Sequence, residues 1–170
     1  MAKRKILTDN DPTLRTVCRP IPRITPRVIT LLDDMIETMR DANGVGLAAP
    51  QVGVLLRAVV IETEPGQVWE LINPEIIETS GEQEGSEGCL SLPGRSGHVK
   101  RPNYVKVKAL NRNGEEYVLE GTELLARAIC HETDHLDGRL YIDVAEYMYA
   151  PEDEEPVTPR LRKYARKRER

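Results

Sequence analysis

A chain of 170 residues is the size of one domain and can bury a substantial core. Its 24 basic and 28 acidic side chains leave a formal charge of −4, which gives no support to general nucleic-acid binding. Charged residues make up 31% and hydrophobic ones 39%, and no apolar run approaches the roughly 20 residues of a membrane-spanning helix.

The opening Met1-Ala2-Lys3-Arg4-Lys5-Ile6-Leu7 is basic but has no apolar signal segment behind it, so the expected location is the cytoplasm. Three cysteines, Cys18, Cys89 and Cys130, do not make a disulfide framework. Pro12, Pro20, Pro22 and Pro26 predict an irregular arm laid over the core. Thr25-Pro26 then reads as an N-cap followed by proline at the first helical position. Val28, Leu31, Leu32, Met35, Ile36 and Met39 follow at helical spacing, and Asn43-Gly44 should end the helix through a left-handed cap.

Residues 44–53 hold three glycines, which permit close backbone approach, and Pro50 should bias Ala49 toward extended geometry. Strands are expected over residues 57–62, 68–72 and 75–79, the last two separated by a turn at Asn73-Pro74. Residues 80–97 are rich in Gly, Ser and Glu and read as a loop around an apolar knot, Cys89-Leu90-Ser91-Leu92-Pro93, with His98 also in a loop. Val105, Val107 and Ala109 alternate along residues 104–110, Asn113-Gly114 signals a hairpin turn, and residues 117–119 return as the partner strand. Thr122 is the expected N-cap of a second helix, which Gly138 should stop. The predicted fold class is α+β, with antiparallel β-sheets around this central helix. Residues 1–150 would form the domain, and residues 151–170 a tail that is acidic over 152–155 and basic from Arg160.

The helix carries the chemistry. In His131-Glu132-Thr133-Asp134-His135 the two imidazoles are four residues apart, one turn of a helix, on a stripe with Leu124 and Ala128. Such a pair can grip one metal ion while the adjacent glutamate handles protons, the equipment of a metal-dependent hydrolase. The third ligand separates unrelated enzymes. A histidine six residues after the second is ruled out, because Tyr141 stands there. Glu154 or Glu155 lies near the spacing of thermolysin-like peptidases, but in a proline-flanked acidic run with little chain behind it. Cys89 with two imidazoles would give three ligands and leave the fourth position for water. Cys18 and Cys130 read instead as buried small residues.

Three blocks occur in order: Gly44-Val45-Gly46-Leu47-Ala48-Ala49-Pro50-Gln51, Glu87-Gly88-Cys89-Leu90-Ser91 and His131-Glu132-Thr133-Asp134-His135. Together they resemble the signature blocks of the peptide deformylases, and Arg4-Lys5-Ile6-Leu7, Asp11-Pro12 and Leu14-Arg15 resemble that family's start. No long insertion separates the first two blocks, which is similar to the shorter bacterial branch. The resemblance implies removal of the formyl group from N-formylmethionyl peptides. It also implies that Cys89, His131 and His135 hold one divalent ion, typically Fe2+ with Zn2+, Ni2+ or Co2+ as substitutes. By the same resemblance Glu132 moves the proton, and the Gln51 side chain and the Leu90 backbone N–H donate to the oxyanion. Gly46 would leave room for an extended substrate backbone, and Val45, Leu124 and Ala128 would line a methionine pocket. Cys130 departs from the family pattern, where many relatives carry Gln. Rival readings are a small metallopeptidase using Glu154 or Glu155, and a structural metal module or ribosome-binding factor. The basic tail, with Arg160, Arg162, Lys163, Arg166, Lys167, Arg168 and Arg170, would contact ribosomal RNA or else be a solvated terminus.

Overall fold

The structure is a computed structural model and describes residues 2–149. The N-terminal arm is irregular, as expected, apart from a 3-10 turn at Pro12–Arg15, and it buries Leu14, Cys18 and Ile21. Helix α1 (Pro26–Asp41) turns Val28, Leu31, Leu32, Met35 and Met39 inward. Its start is set by Pro26, since the Thr25 side chain makes no capping hydrogen bond. Its end is the expected left-handed one: Asn43 has φ 56°, and the Gly44 N–H donates to the Met39 carbonyl at 2.9 Å.

The chain then forms β1 (Gly46–Ala48), a 3-10 turn at Ala49–Val52, β2 (Ala58–Glu64) and β3 (Gln67–Ser80). Ala49 opens that turn, so the extended residue is Ala48 rather than Ala49, at φ −109° and ψ 148°. The expected turn at Asn73-Pro74 is a bulge inside one continuous strand. Asn73 adopts φ 51°, and its amide exchanges two hydrogen bonds of 2.8 Å with the backbone of Ile21. Pro74 has no N–H to give to a ladder, and it sits where the register shifts between Ile72 and Glu75.

The expected loop at residues 80–97 is mostly a hairpin. Strand β4 (Gln83–Cys89) pairs antiparallel with β5 (Leu92–Arg101), and Leu90-Ser91 make the turn. His98 therefore lies in a strand. Its glycines and acids concealed this ladder because its inner face meets charge instead of hydrocarbon: a Cβ on Gly85 would stand 3.2 Å from an Arg127 nitrogen. Strands β6 (Tyr104–Leu110) and β7 (Glu116–Thr122) form the predicted hairpin, with Val105, Val107 and Ala109 buried.

Helix α2 (Glu123–Leu136) follows directly, without a side-chain cap from Thr122, and is halted at Gly138, where φ is 73°. A 3-10 turn at Tyr141–Asp143 leads to the short strand β8 (Tyr147–Met148). The strands make two antiparallel sheets, β1-β2-β3-β6-β7 and β4-β5-β8. Helix α2 is buried around most of its circumference. Ala126, Ile129 and Leu136 pack on Val59, Leu71, Val105 and Val107 of the larger sheet, which makes it the central helix of an α+β fold. Cys18 and Cys130 are core residues of this cluster, and burial pushes the Cys130 thiol up to about 11.

Candidate active site

The turn of the β4–β5 hairpin brings Cys89 against the inner face of α2. Cys89 Sγ, one ring nitrogen of His131 and one of His135 all lie within 4.8 Å of one another. Cys89 Sγ is 3.4 Å from His135 Nε2. His131 Nδ1 is 2.8 Å from Glu87 Oε1, so its Nε2 is the nitrogen left to serve as a ligand. Burial holds His135 below its ordinary pKa and so keeps it neutral. Burial also opposes charge on His131, but Glu132, Cys89 and Glu87 override it and raise that imidazole. A cation would compete with that proton. One thiol and two imidazoles suit a first-row divalent ion. Among the described residues, the site is completed by a carboxyl: Glu132 is buried, its Oε1 has no hydrogen-bond partner, and burial pushes its pKa up to about 7.

Glu87 is the residue that sequence reasoning missed. It is buried between two guanidiniums, bonded by Arg101 Nε at 2.8 Å and Nη2 at 3.0 Å and by Arg127 Nη1 at 2.7 Å, as well as facing His131. Burial alone would raise its pKa, but Arg101 and His131 hold the carboxyl at about 2. Arg101 also reaches Asp134 Oδ2 at 2.8 Å. Glu87 stood in the quoted block two residues before Cys89. What linked it to His131 and Arg101 was the hairpin, which the sequence concealed.

Gln51 is almost wholly buried at the end of the turn after β1. Its Oε1 accepts the Ala48 N–H at 2.9 Å, which fixes the amide so that Nε2 points to Ser91 Oγ at 3.1 Å and Cys89 Sγ at 3.5 Å. Beside these groups opens a cavity of about 470 Å³, lined by Val45, Gly46, Gln51, Leu90, Leu124, Ala128, His131 and Glu132. Val45 and Leu124 are exposed at its mouth, and Ala128 is buried within it. Gly46 leaves room first of all for Glu132: a Cβ there would lie 2.4 Å from Glu132 Oε2. β1 is an edge strand of its sheet, paired on one side only with β2.

The family model for polypeptide deformylase matches residues 3–149. The chain belongs to the peptide deformylase family. It is 58% identical over 146 residues to the peptide deformylase of Agathobacter rectalis, covering 86% of this chain and 92% of that one. The crystal structure of a peptide deformylase from Legionella pneumophila superposes with a TM-score of 0.82 at 41% identity, covering 98% of this chain and 92% of that one. That of peptide deformylase from Thermotoga maritima gives 0.83 at 37% identity, covering 86% of this chain and 99% of that one. Peptide deformylases are metal-dependent hydrolases that remove the N-terminal formyl group from nascent polypeptides, and this is the activity of the family to which the chain belongs. No helix among the described residues is long and apolar enough to cross a membrane.

Proposed function

We propose that the chain deformylates N-formylmethionyl peptides in this cavity, with Cys89, His131 and His135 holding one ferrous ion for which zinc, nickel or cobalt can substitute. The observation that carries this reading is the convergence of the three ligands beside Glu132, a buried carboxyl with an oxygen that no group among the described residues hydrogen-bonds. When bound, the ion would supply Lewis acidity, polarising the formyl carbonyl and lowering the pKa of a water molecule.

The remaining steps belong to side chains of this protein. Glu132 accepts the proton of the attacking water at Oε1 and delivers it to the nitrogen of the departing amine. Gln51 Nε2, uncharged and fixed through its own Oε1, donates to the formyl oxygen as negative charge develops there, joined by the Leu90 backbone N–H. Such fixed donors are each worth about 3–4 kcal/mol in the transition state. The substrate backbone runs along β1 beside Val45 and Gly46, an edge addition supported by that strand's free side. The methionine side chain enters between Val45, Leu124 and Ala128, where the small Ala128 leaves space. Glu87 positions His131 rather than touching substrate, and Arg101 and His131 itself keep it ionised. Newly made chains are the substrate, so the protein works in the cytoplasm and would meet ribosomal RNA through its basic tail.

The test is formate release from a formyl-methionyl tripeptide by protein prepared anaerobically and loaded with ferrous iron. Glu132→Gln should lower kcat by about 10²–10⁴-fold while the ion stays bound. Cys89→Ala should lose the ion. No release from folded, metal-loaded protein would overturn the substrate assignment.

A further inference from the structure

A second cluster of metal-ligating groups lies on the smaller sheet. Among the described residues, only this trio and the Cys89 centre bring three such groups together. His98 on β5, Glu84 on β4 and Glu146 just before β8 present one ligand atom each. None of the three lines the catalytic cavity.

The imidazole is the built part of this cluster. Its side chain is only 5% exposed, whereas the two carboxylates reach solvent at 50% and 34%. Tyr147 stacks on the ring with centroids 5.0 Å apart and planes 8° from parallel, which fixes its tilt. The buried Tyr149 hydroxyl lies 3.4 Å from Nδ1. If Nδ1 carries the proton and donates to that hydroxyl, Nε2 is left with its lone pair directed outward, the tautomer a metal-binding imidazole needs.

Nε2 faces both acids, 3.0 Å from Glu84 Oε1 and 3.7 Å from Glu146 Oε1. Two ligands each about 2.0–2.2 Å from one zinc ion stand about 2.8–3.6 Å apart at octahedral to tetrahedral angles. The Glu84 distance lies inside that window, and a small movement of the solvent-reaching Glu146 carboxylate brings the other within it. The backbone holds the group together as well: the Glu146 N–H donates to the His98 carbonyl at 2.8 Å, and β8 pairs with β5 at His98 and Gly97. Lys100 Nζ sits 3.6 Å from the other Glu146 oxygen, Oε2, and so leaves Oε1 to the cluster.

We infer that Glu84, His98 and Glu146 form a second, solvent-accessible site for a first-row divalent cation of the zinc type. An imidazole with two carboxylates favours such an ion over magnesium or calcium, which prefer ligands that are all oxygen. Bound there, the cation ties β8, an edge strand of two residues, to the β4–β5 hairpin that carries Cys89.

The experiment begins with protein carrying nickel at the Cys89 centre, dialysed against low-micromolar zinc chloride, with total metal then counted per chain. Exchange of nickel for zinc at the catalytic centre does not alter that total. Two ions per chain are expected for the natural sequence, and one for His98→Gln and for the double variant Glu84→Gln/Glu146→Gln. The double variant alters only solvent-reaching carboxylates, so it keeps the test decisive if His98→Gln fails to fold. Zinc should also slow amide hydrogen exchange at Tyr147 and Met148 in the natural sequence and leave the double variant unchanged. One ion per chain in the natural sequence, or two in the folded double variant, would overturn the inference and reduce the trio to an ion-paired histidine.

Discussion

Gly46 shows how closely the carboxyl proposed to move the proton is fitted to its surroundings. The space its missing side chain leaves is taken by Glu132, with three atoms of that side chain within 2.9 Å of a Cβ position. The Glu132 side chain is gripped between β1 and its own helix, so Gly46→Ala has to push it aside. We expect kcat for formate release to fall at least tenfold, about 1.4 kcal/mol of barrier, with metal content unchanged. An undiminished kcat would show that Glu132 can relocate and still act. The sequence exposed the residues whose roles depend on local spacing. His131 and His135 share a helical face, and Cys89 and Gln51 stand in blocks similar to a known family. Glu87 and Arg101 were illegible because their roles depend on the β4–β5 pairing that sets them beside α2. His98 was missed as part of a cluster for the same reason.

Asp34 of helix α1 is the buried acid that ties down the start of the N-terminal arm. Asp34 is buried, its Oδ1 accepts the Ala2 N–H at 2.7 Å, and its Oδ2 accepts Arg4 Nε at 2.9 Å. Burial by itself would raise the Asp34 pKa, but these bonds and the nearby positive charge bring it below the ordinary 3.8. A carboxyl whose pKa is lower folded than unfolded stabilises fully above the unfolded value, and that contribution is lost as pH falls through the folded one. Asp34→Asn should therefore be less stable than the natural sequence at neutral pH, with the gap closing below about pH 4. Urea unfolding at both pH values measures it, and a gap independent of pH would remove the charge from the explanation. Elements with apolar periodicity, namely α1, α2 and the β6–β7 hairpin, were readable in the sequence. The β4–β5 hairpin was not, because charged and glycine residues face Arg127 there and no alternating apolar signal arises.

At the scale of the whole molecule, the two sheets and the central helix are the α+β arrangement expected from the sequence, while residues 151–170 lie outside the described residues. Their proposed role rests on seven basic side chains from Arg160 onward. Deleting residues 151–170 should weaken ribosome binding at low salt and flatten its salt dependence, while formate release from a tripeptide stays the same. Equal sedimentation with ribosomes at low salt, with and without the tail, would end that proposal. In the larger sheet, β3 carries one residue more than its ladder with β6 needs at Asn73-Pro74. Residues 67–72 of β3 pair with β2, residues 72–80 pair with β6, and Asn73 and Pro74 together stand opposite Ala109. The ladder resumes with Glu75 opposite Lys108, two residues along β6 from Leu110, so the bulge absorbs the extra residue and the faces on either side of it stay matched. Replacing Asn73 would only weaken the join to Ile21. Loss of one of the two residues would straighten β3 there without turning its faces over, so what the extra residue supplies is the bend from which Asn73 reaches Ile21.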